Sequence, residues 1–178
     1  MNIPNQLTVL RVILVPVFIA LYLTGHYYIA TAVFIVASTT DLLDGKIARA
    51  QGLVTNFGKI MDPLADKILV YSAFVLLVAD GLVAGWMFIV ILTREFLVAG
   101  LRTVAAADGI VIAADMSGKI KTVLQMIAVP LLVMRNWPFV YIGIPADKIF
   151  LWACVLMTIY SGCEYVIKNR TVFTKGGI

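Results

Sequence analysis

The sequence predicts an all-α integral membrane protein with six transmembrane helices, and three observations carry that prediction. Of its 178 residues, 62% are hydrophobic and 13% charged, against roughly 45–50% and about 25% in soluble domains. Mean hydropathy is +1.00. Apolar runs near the ~20 residues needed to cross a bilayer recur at about 6–23, 27–44, 60–80, 84–106, 118–134 and 148–167. Six spans joined by short loops make one membrane domain of the whole chain, 1–178, with no room for a second, soluble one.

Met1-Asn2-Ile3-Pro4-Asn5 leads into Leu7-Thr8-Val9-Leu10-Arg11, a polar-dotted segment suited to lying at the interface before the first span descends. No Lys or Arg precedes Arg11, and no A-x-A-like cleavage site follows the first apolar run. It therefore reads as a retained span rather than a cleaved signal. Gly25-His26-Tyr27-Tyr28 turns the chain into a second span that is free of charge until Asp41 near its far end. The third span carries Asp62 and Asp66 near its start and ends at Asp80-Gly81. The fourth is clean from Trp86 to Thr93 and then holds Arg94, Glu95 and Arg102. Lys119 and Lys121 open the fifth, and Asn136-Trp137-Pro138 begins the last outer connection. On the sixth, Cys154 and Cys163 are nine residues apart, about 13 Å along a helix axis. That is too far for a bridge, so both read as apolar packing.

Basic residues orient the bundle. With both termini cytoplasmic, Arg11, Lys46, Arg49, Lys59, Lys67, Arg94, Arg102, Lys119, Lys121, Lys168, Arg170 and Lys175 fall on the inner side. Only Arg135 and Lys148 fall outside. Ionisable groups thus gather in the cytoplasmic leaflet, where the helix ends are expected to enclose a polar active-site cavity. The net charge of +4 suits anionic lipid headgroups or phosphorylated substrates. It does not suit nucleic acid, because no soluble basic surface is present to carry it.

Four carboxylates stand between residues 41 and 66 of this apolar chain: Asp41, Asp44, Asp62 and Asp66. Holding them together beside a bilayer is costly unless cations neutralise them. Asp41 and Asp44 are spaced i,i+3, and Asp62 and Asp66 i,i+4, so on helices each pair shares a face, with Gly58 one turn before Asp62. The competing structural reading pairs these carboxylates with Lys46, Lys59 and Lys67 as solvated helix ends. The single histidine, His26, lies in an outer turn, which excludes zinc chemistry of the His/Cys type. Oxygen ligands alone point to Mg²⁺ or Mn²⁺.

The residues compose the pattern D-x2-D-G-x2-A-R-x8-G-x3-D-x3-D with every fixed position satisfied. On them the chain resembles the CDP-alcohol phosphotransferase family. The resemblance implies two metal ions held by Asp41, Asp44, Asp62 and Asp66, with Asp66 also the general base that takes the acceptor's proton. It implies that Gly45, Ala48 and Gly58 leave space for cytidine and ribose, that Arg49 pairs with the diphosphate, and that Thr40 neighbours the nucleotide. For the small residues the alternative is close helix packing, and for Thr40 an ordinary helix threonine.

The family attaches different alcohols, so the acceptor has to be read elsewhere. Arg94-Glu95 through Gly100-Leu101-Arg102, Gly118-Lys119-Ile120-Lys121-Thr122, and the N-terminal segment with Asn5 and Thr8 resemble the bacterial phosphatidylglycerophosphate synthases. That resemblance implies CDP-diacylglycerol as donor, sn-glycerol 3-phosphate as acceptor, CMP and phosphatidylglycerol phosphate as products, and a homodimer among membrane lipids. Arg94, Arg102, Lys119 and Lys121 then read as the acceptor-phosphate cluster, against the alternative that they are inside-positive anchors. Adjacent helix residues point about 100° apart, so Arg94 and Glu95 are not expected to pair. Serine, inositol phosphate or phosphatidylglycerol is the alternative acceptor within the class, although free serine has no need of four cations. A cation transporter is the rival from another class. It requires acids spread through the membrane depth, whereas these stop at the inner half.

Overall fold

The computed structural model describes residues 3–51, 56–107, 109, 112–113 and 115–170, with side chains described except at 3–8, 41–51, 56–63 and 66. Among the described residues there are six long helices: α1 (Ile3–Leu23), α2 (Tyr27–Gln51), α3 (Asn56–Ala79), α4 (Gly85–Ala107), α5 (Met116–Val133) and α6 (Ala146–Lys168). The only other regular element among the described residues is a 3-10 turn, Phe139–Ile142. Two compact units emerge. The first takes Met1–Leu82 and Val129–Ile144, the second Val83–Ala128 and Pro145–Ile178.

In the first unit α1 packs on both α2 and α3, and α2 meets α3. The buried positions follow helical spacing. On α1 they are Arg11, Val15, Phe18 and Tyr22; on α2, Ala30, Phe34 and Ala37; on α3, Ala65, Leu69, Ala73 and Leu77. Steps of three and four keep one stripe of each helix turned inward. Phe18 stacks tilted on Phe34 at 5.8 Å and on Tyr22 at 6.2 Å, and Tyr22 meets Tyr27 edge-on at 5.3 Å. These rings fill the seam between α1 and α2. At the end of the unit where α1 turns into α2, Tyr22 donates to Asp80 Oδ2 at 2.8 Å. Arg135 reaches the same oxygen at 3.3 Å, with its guanidinium 4.9 Å from the Tyr27 ring centre.

In the second unit α4 and α6 pack side by side and run the same way, from the Trp86–Trp152 pair at 5.8 Å to Arg102 against Tyr165. The buried positions of α6, Asp147, Leu151, Cys154, Thr158, Ser161 and Tyr165, alternate steps of four and three. Small side chains in the middle of that run let α4 come close. Cys154 and Cys163 are both free thiols.

Among the described residues, α5 and α6 are long and apolar enough to cross a membrane. Val9–Leu23, Tyr27–Thr40 and Lys67–Ala79 are apolar but shorter, and α4 carries Arg94, Glu95 and Arg102 within its length. Helices also outrun the apolar segments. The second span was expected to end near residue 44, yet α2 continues to Gln51. The segment before Arg11, expected at the interface, is continuous with α1 from Ile3 onward.

The α1–α2 seam makes a testable contrast between neighbours. Phe34 is 1% exposed and Ile35 45%. Phe34→Ala is expected to lower stability in detergent by ~3–5 kcal/mol, and Ile35→Ala by no more than ~0.5 kcal/mol. Equal shifts in thermal unfolding would contradict this packing.

Candidate functional site

The buried stripe of α2 (Ala30, Phe34, Ala37) continues in the same four-and-three steps to 41, 44 and 48, the register of Asp41, Asp44 and Ala48. The stripe of α3, followed back from Leu69 and Ala65, reaches the register of Asp62 and Gly58, with Asp66 beside it. Both helices run unbroken through these positions. The side chains of Asp41, Asp44, Gly45, Ala48, Arg49, Gly58, Asp62 and Asp66, like those of Asn5 and Thr8, lie outside the described residues. By donor chemistry the four carboxylates fit hard divalent cations.

One turn before Asp41, two described groups converge on a single backbone oxygen. Arg11 Nε on α1 donates to the Ala37 carbonyl at 3.2 Å, and Thr40 Oγ1 donates to it at 2.8 Å. Arg11 is almost fully buried, so it serves as an internal tie between α1 and the signature helix rather than a membrane-surface anchor. Thr40 spends its hydroxyl on its own helix, as a helix threonine does.

The second unit holds the cations singled out for the acceptor. Lys121, 2% exposed, donates from Nζ to Glu95 Oε1 at 2.7 Å, and Arg94 Nη1 donates to the same oxygen at 3.0 Å. The Arg94–Glu95 pair corrects the expectation from helix geometry. The two residues do diverge at Cβ, but the long arginine stem bends back along a corridor walled by two glycines. A Cβ on Gly162 of α6 would stand 3.1 Å from Arg94 Cγ, and one on Gly118 of α5 would stand 3.0 Å from Nη2. Arg102 and Lys119 remain exposed. Arg102 Nε donates to Tyr165 Oη at 3.1 Å, its guanidinium 5.5 Å from the ring centre. Beside Arg94 an apolar groove of about 480 Å³ runs between α4 and α6, lined by Ile89, Leu97, Ile159 and Ile167 among others.

The four cations thus divide into two held inside by Glu95 and two presented outward. Sequence reasoning passed over Glu95, Tyr165 and Arg11 as organising residues. Glu95 had a signal, a lone acid in an apolar span. Arg11 had one too, falling on the same spacing as Val15, Phe18 and Tyr22.

The chain belongs to the CDP-alcohol phosphatidyltransferase family, whose description matches residues 1–160. It is similar to the CDP-diacylglycerol–glycerol-3-phosphate 3-phosphatidyltransferase of Bacillus subtilis (strain 168), 46% identical over 94% of this chain and 95% of that one. The enzyme of the same name from Rickettsia typhi is 37% identical over 97% of this chain and 99% of its own. That from Haemophilus influenzae is 38% identical over 93% and 91%. The family and the apolar helices α5 and α6 make this a membrane protein.

The glycine corridor predicts a coupling. Gly162→Ala should be more favourable in an Arg94→Ala background than in the wild type by ~0.5–3 kcal/mol, the range for residues in contact. Thermal unfolding of the four proteins of this cycle measures it, and strict additivity would contradict the contact.

Proposed function

We propose that this chain transfers the phosphatidyl group of CDP-diacylglycerol to sn-glycerol 3-phosphate, giving phosphatidylglycerol phosphate and CMP. The observation that carries this reading is the complete aspartate signature together with the cationic set on α4 and α5. The relatives at 37–46% identity bear the name of that reaction. We assign six membrane crossings with both termini cytoplasmic, on the distribution of basic residues, and a homodimer by family resemblance.

In this assignment the acceptor hydroxyl oxygen bonds to the phosphorus that carries diacylglycerol, and the bond from that phosphorus to the CMP oxygen breaks. Asp66 takes the hydroxyl proton. Arg49 donates charge-assisted hydrogen bonds to the diphosphate, and Gly45, Ala48 and Gly58 leave space for the nucleoside. Asp41, Asp44, Asp62 and Asp66 would hold two Mg²⁺ or Mn²⁺ ions, which neutralise diphosphate charge and so supply most of what phosphoryl transfer asks of a site. Arg102, oriented by Tyr165, and Lys119 bind the acceptor phosphate directly. Arg94 and Lys121 add to the field there after partial neutralisation by Glu95.

The test is CMP release by the purified chain with CDP-diacylglycerol and a panel of acceptors. Glycerol 3-phosphate should support turnover, and serine or inositol phosphate should not. Turnover with inositol phosphate but not glycerol 3-phosphate would overturn the assignment of acceptor. Arg102→Ala and Lys119→Ala should each raise the KM for glycerol 3-phosphate by ~10-fold or more, the loss of a hydrogen bond to a charged group. The KM for CDP-diacylglycerol should stay nearly unchanged. Equal losses for both substrates would mean that these residues only support the fold.

A further inference from the structure

Residues 137–144 connect α5 to α6, and their composition is wrong for a loop in water. No Lys, Arg, Asp or Glu occurs between Arg135 and Asp147. Trp137 is 42% exposed and Tyr141 80%, and Val140, Ile142 and Ile144 are exposed beside them. Tyr28, at the start of α2, meets Trp137 edge-on at 5.6 Å and extends the same apolar patch.

The backbone of this connection is also built for a place where water is scarce. Trp137 N donates to the Met134 carbonyl at 3.2 Å, Val140 N to Asn136 at 2.9 Å and Tyr141 N to Pro138 at 3.2 Å. Gly143 N and Ile144 N donate at 3.3 Å to Val140 and Phe139. Asn136 Nδ2 closes the base of the hairpin on the Ile144 carbonyl at 2.8 Å. Pro138 and Pro145 have no N–H to satisfy. Gly143, at φ +69°, makes the left-handed reversal after the 3-10 turn. A surface loop can leave such donors to water, but a segment in a poorly hydrating layer has to satisfy them internally.

We propose that residues 137–144 form an interfacial anchor seated at the headgroup–acyl boundary of the bilayer, with phospholipid as the occupant of its exposed apolar face. This rests on α5 and α6 crossing the membrane, as assigned above. On that assignment the chain leaves the bilayer near Val133, where α5 ends, and re-enters near Ala146, where α6 begins, so continuity alone holds the hairpin at the membrane face. Trp and Tyr are the side chains that favour this layer, with an apolar ring and a polar tip. Arg135 does not oppose insertion, because at the hairpin's base it is paired with Asp80 and lies against Tyr27.

The chain has three tryptophans, and Trp137 can be isolated by difference. The full protein and its Trp137→Phe variant are reconstituted in vesicles of phosphatidylcholine and phosphatidylglycerol, with chains brominated either near the headgroup or deep in the core. The Trp137 component of emission should lose roughly half or more of its intensity with shallow bromines, less with deep ones, as suits a face sunk ~5–10 Å below the surface. Aqueous iodide should quench it weakly. A second probe, Tyr141→Trp in the Trp137→Phe background, should show the same order at the tip. Strong iodide quenching without bromolipid quenching would overturn the anchor. Quenching by neither would overturn it as well, and would mean that a protein surface, such as a second copy, covers the patch. The emission of Trp86 and Trp152 that remains in Trp137→Phe separates the two levels of the account. If bromolipids quench that emission but not Trp137, the anchor alone fails. If they quench neither, the membrane crossings fail and the anchor with them.

Discussion

A charge placed inside an apolar helix layer has to meet an opposite charge or a set of hydrogen bonds where it sits, and the organisation of both units follows from that constraint. In the second unit Glu95 meets it by accepting from Arg94 and Lys121 through one oxygen. A buried pair of this kind adds little net stability over well-packed apolar residues, but removing one partner alone is expensive. The arrangement therefore fixes the positions of two cations more than it strengthens the fold. In the first unit Arg11 makes its described contact with a backbone carbonyl of α2. That carbonyl lies one turn ahead of the first signature aspartate, so the same bond registers α1 against the signature helix.

The same constraint explains the glycines around Arg94. A guanidinium that crosses from α4 toward α5 and α6 needs a passage, and Gly118 and Gly162 leave one where any side chain would press on it. Residues that look like generic close-packing positions are here matched to one neighbour. Tyr165 does a comparable service for Arg102 from a buried position on α6. Arg94, Lys121 and Arg102 are in this way oriented by acidic or uncharged neighbours.

Much of the fold was legible in the sequence because hydropathy and helical periodicity are local properties. Six apolar runs became six helices, and the aspartates fell on two of them at the spacings that put each pair on one face. Helix ends were less legible, as α2 shows. Lys46 and Arg49 end the apolar run but not the helix, because hydropathy reports what can face lipid and not where backbone hydrogen bonds stop. Tertiary pairings were the least legible. Nothing within a helical turn of Lys121 points to Glu95, 26 residues away, nor does anything near Arg11 point to Ala37. The Arg94–Glu95 contact was misjudged for the same reason: the direction of a Cβ was readable, and the glycine corridor that bends the side chain was not. Carboxylate spacing and donor type belong to the sequence itself, so the candidate site is read there as chemistry, while its side-chain geometry lies outside the described residues.

Four aspartates between residues 41 and 66 of an apolar chain are costly to hold together without a counter-charge, and the account assigns that role to divalent cations. The most direct measurement is CMP release from CDP-diacylglycerol and glycerol 3-phosphate by the purified chain, before and after chelation with EDTA. The account predicts that turnover is abolished by the chelator and restored by Mg²⁺ or Mn²⁺. Undiminished turnover in the chelator would contradict it.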